Sequence, residues 1–124
     1  MGNKVLLIGV DTTKLSGTGI SEFDSASIRK EATEALVNLR NLGFDAQWHF
    51  LDLRSNPLVA LAENLQQNKY DCVMLGAGIR RRPETLSLFE SILNTVHFNA
   101  PTAKISLNAD VQDTVEAIKR TLKQ

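Results

Sequence analysis

A single cysteine, Cys72, excludes an intrachain disulfide and a cysteine-built metal cluster. It falls inside an apolar run, where a lone thiol packs as a small hydrophobe, and nothing beside it in sequence would lower its pKa. An excess of charge of one sign is also missing. Lys plus Arg number 14 and Asp plus Glu 14, so the formal net charge is zero. A non-specific nucleic-acid binder normally carries a basic face, and this balance argues against one. No apolar stretch approaches the length of a membrane span. Met1-Gly2-Asn3-Lys4-Val5 lacks the features of a signal peptide, and Leu6 stands where a myristoylation signal needs Ser or Thr. The expectation is a cytoplasmic protein with neither nucleic acid nor membrane as partner.

What is present is enough apolar sequence, 43% over 124 residues, for one domain with a real core, 1–124. Strand and helix patterns alternate four times, without an internal repeat, linker or low-complexity segment. Val5-Leu6-Leu7-Ile8-Gly9-Val10 is a continuous apolar run, as a central parallel strand covered on both faces requires. From Ile28, the residues Ala32, Ala35, Leu36 and Leu39 keep helical spacing, and Gly43 supplies the stop. Phe44, Ala46, Trp48 and Phe50 alternate with Asp45, Gln47 and His49, which marks a half-buried strand at an edge with His49 outward or on the sheet margin.

Asn56-Pro57 reads as an N-cap and first helical residue, followed by the stripe Leu58, Leu61, Ala62 and Leu65. The run 71–76 is the third strand, followed by a glycine and arginine loop and a helix beginning near Pro83 and lined by Leu86, Phe89, Ile92, Leu93 and Val96. Ala103 to Leu107 is the fourth strand. Asp110 caps a last helix with the stripe Val111, Val115, Ile118 and Leu122.

Alternating strands and helices predict an α/β fold: a three-layer α/β/α sandwich around a four-stranded parallel sheet. The expected strand order is 2-1-3-4, a shortened flavodoxin-like arrangement. Such sheets bind ligands at the carboxyl ends of their strands, where the winding direction reverses, here between the first and third strands.

Two unusual loops are expected at that point. The first, Asp11 to Asp24, exceeds the usual length of such a connection. Its Ser16, Gly17, Thr18 and Gly19 would let backbone approach an anion closely, while Ile20 and Phe23 could fold it down as a lid. The plainer reading is a polar surface loop pinned by those two anchors. The second loop carries Gly76, Ala77 and Gly78 before Arg80, Arg81 and Arg82, three consecutive cations. Backbone N–H groups and guanidiniums converging there suggest an anion site, with Arg80 the first contact. The alternative is a helix entry whose arginines face water or pair with Glu84. Asn108, at the end of the fourth strand, is a further polar contact on the same edge, whereas Thr102 lies at the opposite end.

Ser16-Gly17-Thr18-Gly19-Ile20-Ser21-Glu22 resembles the phosphate loop of flavodoxins. The resemblance implies phosphate binding. It departs from the family because Asp11 to Leu15 intervene after the strand and Gly76 to Arg82 hold no aromatic ring for a flavin. No cofactor is therefore predicted, flavin mononucleotide or another nucleotide being what the phosphate loop alone would admit.

Response regulators resemble the chain in architecture, but their phospho-acceptor position is taken by Gly76-Ala77-Gly78 and their lysine position by Asn108. Asp11-Thr12-Thr13 is similar to the nucleophile motif of haloacid-dehalogenase-like phosphatases, with Thr13 replacing the second aspartate. Cys72 to Arg80 lacks the spacing of a cysteine phosphatase. His97, at the end of the third long helix, reads as a capping residue. No paired-carboxylate or Ser-His-Asp arrangement can be assembled, and no metal site is predicted.

Gly76, Gly78, Ile79, Arg80, Phe89, Glu90, Val96, His97, Ala100, Pro101, Asn108, Asp110, Asp113 and Thr114 resemble a pattern of small uncharacterised bacterial α/β proteins. That likeness implies the fold and no activity. The leading expectation is binding of a small anionic molecule, a phosphate ester or nucleotide. The first alternative is a hydrolase or transferase acting on a phosphorylated small molecule through Asp11 as nucleophile or base. The second is a ligand-free interaction module, with a homodimer across the Trp48 and Phe50 edge strand as one form.

Overall fold

Val5, Leu6, Leu7 and Ile8 have no exposed surface, because the first strand has a neighbour on each side and helices on both faces. The structure, a computed structural model, describes residues 3–10, 22–80 and 83–124. Its strands are β1 (Lys4–Val10), β2 (Asp45–Leu51), β3 (Cys72–Leu75) and β4 (Lys104–Leu107). Its helices are α1 (Glu22–Asn41), α2 (Pro57–Gln67), the single turn α3 (Ala77–Arg80), α4 (Leu86–Asn99) and α5 (Thr114–Leu122). The sheet is wholly parallel with the order β2-β1-β3-β4, as the alternating pattern predicts.

The period of two along each strand divides the core between the two faces of the sheet. Leu6, Ile8, Val73 and Leu75 pack with Leu61, Leu65, Ile92 and Val96, beneath α2 and α4. Val5, Leu7, Cys72 and Met74 pack with Leu39 and Ile118, beneath α1 and α5. The helix α1 ends at Gly43, the one described glycine with positive φ (93°), where Gly43 N–H donates to Arg40 O and Phe44 N–H to Leu39 O. Those two bonds satisfy carbonyls left over by the last turn, in a conformation that a Cβ would strain.

On β2, Asp45 N–H donates to Asn3 O. The alternation of a β-ladder then directs the backbone groups of Asp45, Gln47 and His49 toward β1 and those of Ala46, Trp48 and Phe50 outward. Arg40 Nε donates to the outward Ala46 O at 3.1 Å.

Four local expectations are corrected. The expected span to Asp24 is cut short, because α1 already begins at Glu22 and takes in Phe23 and Asp24. The segment after β3 is not a loop running to Pro83. It winds at once into α3, with Ile79 buried at 1% exposure, and tertiary burial of that side chain outweighs the helix penalty of Gly78. Pro83, lacking an N–H, begins a 3-10 turn (Pro83–Thr85) rather than α4, and Thr85 Oγ1 donates to Ile79 O at 2.5 Å, capping α3.

The third correction concerns the last helix, which opens with a 3-10 turn (Val111–Asp113). Its buried face is Thr114, Ala117, Ile118 and Thr121, so of the expected stripe Ile118 is buried while Val111, Val115 and Leu122 are only half-buried. Asp110 does cap it, its side chain accepting from Asp113 N–H. The fourth concerns β2, where Phe50 is 45% exposed while His49 is half-buried against α2. No helix of the described residues is long and apolar enough to cross a membrane.

Candidate functional site

The parallel register brings four residues level with one another at the carboxyl edge of the sheet. Gly9 of β1 pairs with Phe50 of β2. One step past the last paired residues, Gly76 follows Leu75 beside Ile8, and Asn108 follows Leu107 beside Leu75. Gly76 N–H donates to Ile8 O at 3.0 Å, carrying the ladder into the turn that starts α3. A Cβ on Gly76 would stand 3.1 Å from that same carbonyl, so the tight turn requires a glycine.

Arg80 lies at the β4 end of this row. Its Nη2 donates to Asn108 O and, at 3.2 Å, to Asn108 Oδ1. Asn108 is 2% exposed, and its Nδ2 donates to Thr114 Oγ1 at 3.0 Å. Thr114 Oγ1 in turn donates to Val111 O at 2.7 Å. The structure therefore places Asn108 as a buried bracket that holds the guanidinium, with its own side chain committed to protein partners. A hydroxyl pair, Thr121 Oγ1 donating to Ser106 Oγ at 3.0 Å, closes the same α5–β4 seam lower down. Sequence reasoning missed Thr114, Thr121 and Ser106 in this role; their signal was a polar side chain facing a polar side chain across α5 and β4, an amide for Thr114 and a hydroxyl for Thr121.

The remaining expected residues separate into two groups. Ala77 is buried and serves packing, whereas Gly78 is exposed with open space around it. Asp11, Ser16, Gly17, Thr18, Gly19 and Arg81 lie outside the described residues, as do Ile20 and Arg82. Asp52 follows β2 on the same edge, where its Oδ1 accepts from Arg54 N–H at 3.0 Å in a local turn. Among the described residues no group of three or more His, Cys, Asp or Glu side chains is arranged to hold a metal ion.

At the other end of the row the aromatic residues are organised. Trp48 and Phe50 stack with centroids 5.1 Å apart and planes 12° from parallel. Trp48 Nε1 donates to Ala32 O at 2.9 Å, which pins the stack to α1. Both rings lean over β1 at Gly9: a Cβ there would stand 3.1 Å from Trp48 Cζ3 and 3.5 Å from the Phe50 ring.

A polar network that sequence reasoning also missed runs along the opposite face of β2. Gln47 Nε2 donates to Tyr70 Oη, and Tyr70 Oη donates to Asn64 Oδ1, both at 2.5 Å. Asn64 Oδ1 also accepts from Asn68 Nδ2 at 3.0 Å. With its oxygen so engaged, Asn64 presents Nδ2 to His49 Nδ1 at 3.0 Å, which assigns His49 the neutral tautomer protonated on Nε2. Lys4 Nζ donates to Asn68 Oδ1 at 3.0 Å and lies 5.4 Å from the Tyr70 ring centroid.

Burial holds the His49 pKa below 6.5 and raises that of Tyr70, the latter opposed by its bonds to Gln47 and Asn64. Burial likewise pushes the Cys72 thiol up to about 12, in keeping with a core cysteine. The Arg120 side-chain bond and the Ala109 N–H hold Asp113 below the usual carboxylate range. His97 is exposed in the last turn of α4, where Ala100 N–H caps Val96 O.

No protein-family model matches the chain, and no curated protein matches it. The sheet order and the packing of helices on both faces define an α/β protein with a flavodoxin-like arrangement of four strands.

Proposed function

We propose that the protein binds a small anionic ligand, a phosphate ester or nucleotide, at the carboxyl edge of its sheet. The observation that carries this reading is the bracket on Arg80. A half-buried guanidinium is fixed by a buried Asn108 beside the Gly76 turn, on the edge where parallel sheets take ligands. Arginine suits this task because its planar fork matches phosphate and carboxylate geometry, and holding it in advance reduces the entropy lost on binding. Asp11, the one candidate nucleophile or base, lies outside the described residues, so no catalytic step is assigned to the site.

The test is thermal unfolding of the full chain with inorganic phosphate, ribose 5-phosphate, AMP and flavin mononucleotide, with Arg80→Ala alongside. A ligand at a hundred times its Kd adds about 2.7 kcal/mol, several degrees in a domain of this size. Arg80→Ala loses the bonds to Asn108 and melts lower without ligand, so the readout is the ligand-dependent rise in each protein. The expected result is a rise in the wild type that the variant lacks. No rise with any of the four compounds overturns the reading.

A further inference from the structure

Lys4, Asn68, Asn64 and His49 form a chain of side-chain hydrogen bonds in which every donor points the same way. It starts at an ammonium on β1, passes an amide at the cap of α2 and another within that helix, and finishes on an imidazole of β2. We infer that its last bond is an acid-released latch: when His49 takes a proton from solvent on Nδ1, its ring leaves Asn64, while Asn64 keeps its place against Asn68 and Tyr70.

The direction of the chain is fixed at Asn68 by two groups that have no choice of role. The Lys4 ammonium can only donate, so Asn68 Oδ1 must face it. The backbone carbonyl of Asn64 can only accept, and it takes a bond from Asn68 Nδ2 at 3.0 Å. Turning the Asn68 amide would set oxygen against oxygen on one side and N–H against ammonium on the other. Asn68 Nδ2 therefore presents a donor to Asn64 Oδ1, and Asn64 is left with a donor for His49 Nδ1.

Such a chain can end only on an acceptor. Neutral His49 supplies one in the Nδ1 lone pair; protonated there, it brings N–H against N–H across 3.0 Å. Asn64 could meet the new donor only by turning its oxygen away from Asn68 and Tyr70, which would leave the locked Asn68 donor facing an amide N–H. Moving the ring costs less, because His49 is half-buried and its charged form regains water by leaving. Among the described residues this is the one side-chain hydrogen bond between α2 and β2. Leu51, Leu61 and Leu65 pack together beneath it, so release opens the margin of the seam and leaves α2 docked.

The ionisable groups around the latch leave its control to His49. β1 brings Lys4, α2 brings Glu63, β2 itself carries Asp45, and Tyr70 and Asp71 precede β3. Trp48 is bonded to α1, so its neighbour His49 faces the opposite side of the sheet, away from the charges of that helix. Asp45, Glu63 and Asp71 are exposed, and Asp71 Oδ2 accepts from Lys4 N–H at 2.8 Å. Among the described residues the hydrogen-bond partner of His49 is Asn64, and burial is what lowers its pKa.

The experiment is an NMR titration of the full chain from pH 7.5 to 5. It follows the His49 ring nitrogens, the Asn64 and Asn68 side-chain amides and the contact between ring and Asn64 amide. In the wild type the expected result is a proton on Nε2 at pH 7.5 and a His49 midpoint below 6.5. Through that midpoint the contact should be lost and the Asn64 amide should shift, while the Asn68 amide holds. Asn68→Leu removes the lock, and the backbone N–H of residue 68 still donates to Asn64 O. Asn64 can then turn its oxygen to the imidazolium, so the contact should survive acid and His49 should bind its proton about fivefold more tightly. A wild-type contact that persists below the midpoint, a neutral ring protonated on Nδ1, or release in Asn68→Leu at the wild-type midpoint overturns the proposal. The wild-type titration decides by itself if the variant does not fold.

Discussion

The two edge strands of the sheet are closed by different chemistry. On β4 the seam to α5 is built from buried hydroxyls and an amide, Ser106 with Thr121 and Asn108 with Thr114, and it holds a guanidinium in place. On β2 the seam to α2 is built from half-buried amides around a phenol and an imidazole, Gln47, Asn64, Asn68, Tyr70 and His49. The first is dry and has few alternative partners, so each of its bonds must be made within the protein. The second borders solvent, where water can replace a lost partner. Polar closure of an edge therefore serves two ends here: fixing a functional cation at β4, and joining helix to strand at β2 through groups that respond to pH.

The comparison is broken most directly by removing the amide from each side. Asn108→Leu takes the Oδ1 acceptor from Arg80 Nη2 and the Nδ2 donor from Thr114 Oγ1 in a buried place, and should cost about 3 kcal/mol. Asn64→Leu, at the wet edge, should cost about 1 kcal/mol. Urea unfolding midpoints of the two variants decide the matter, and equal losses would refute the contrast. A smaller effect sharpens the β4 half. Thr121→Val should cost about 1 kcal/mol by leaving the Ser106 hydroxyl buried alone, and adding Ser106→Ala should return most of it, since an apolar pair leaves nothing unsatisfied. A double-mutant cycle by urea unfolding measures that recovery.

The smallest effect belongs to the pH response at β2. Burial holds the folded pKa of His49 below its unfolded value of 6.5, so on acidification the unfolded chain takes up a proton first. Stability should fall as the pH drops through 6.5 and level off below the folded pKa; above 6.5 both states are neutral and His49 contributes no slope. His49→Gln should flatten that part of the curve. The Asp113–Arg120 pair should leave this window unaffected, because its contribution is lost only as Asp113 becomes protonated at lower pH. Chemical unfolding followed from pH 7.5 to 5 in both proteins is the check, and an unchanged slope in His49→Gln would count against the assignment.

Much of the fold was legible in the chain. The unbroken run from Val5 to Val10 marked the central strand, and the 3.6-residue stripes marked α2 and α4. Strand order followed from the alternation of elements. What escaped the pattern were places where tertiary contact overrides a local preference. Gly78 argued for a loop, yet burying Ile79 and Ala77 winds the segment into α3. The threonines at 114 and 121 looked polar, yet each has a buried partner that only the folded sheet supplies.

At the site, Arg80 and the Gly76 turn could be placed on the ligand edge from sequence, but the role of Asn108 as bracket could not, because it depends on register between β3 and β4. The alternation of Phe50 with Gln47 and His49 fits burial under a helix as well as an edge that faces a second copy. The exposure of Phe50 at the end of β2 becomes visible only once the two rings are seen to stack along the strand.

The bond from Arg40 Nε to Ala46 O has a consequence for how the chain behaves among its own copies. An outer strand normally offers a row of backbone carbonyls and amides on which another strand can grow. Arg40 occupies one of those carbonyls from the last turn of α1, placing a charged side chain where an incoming strand would have to lie. At Ala46 the margin of β2 is already taken.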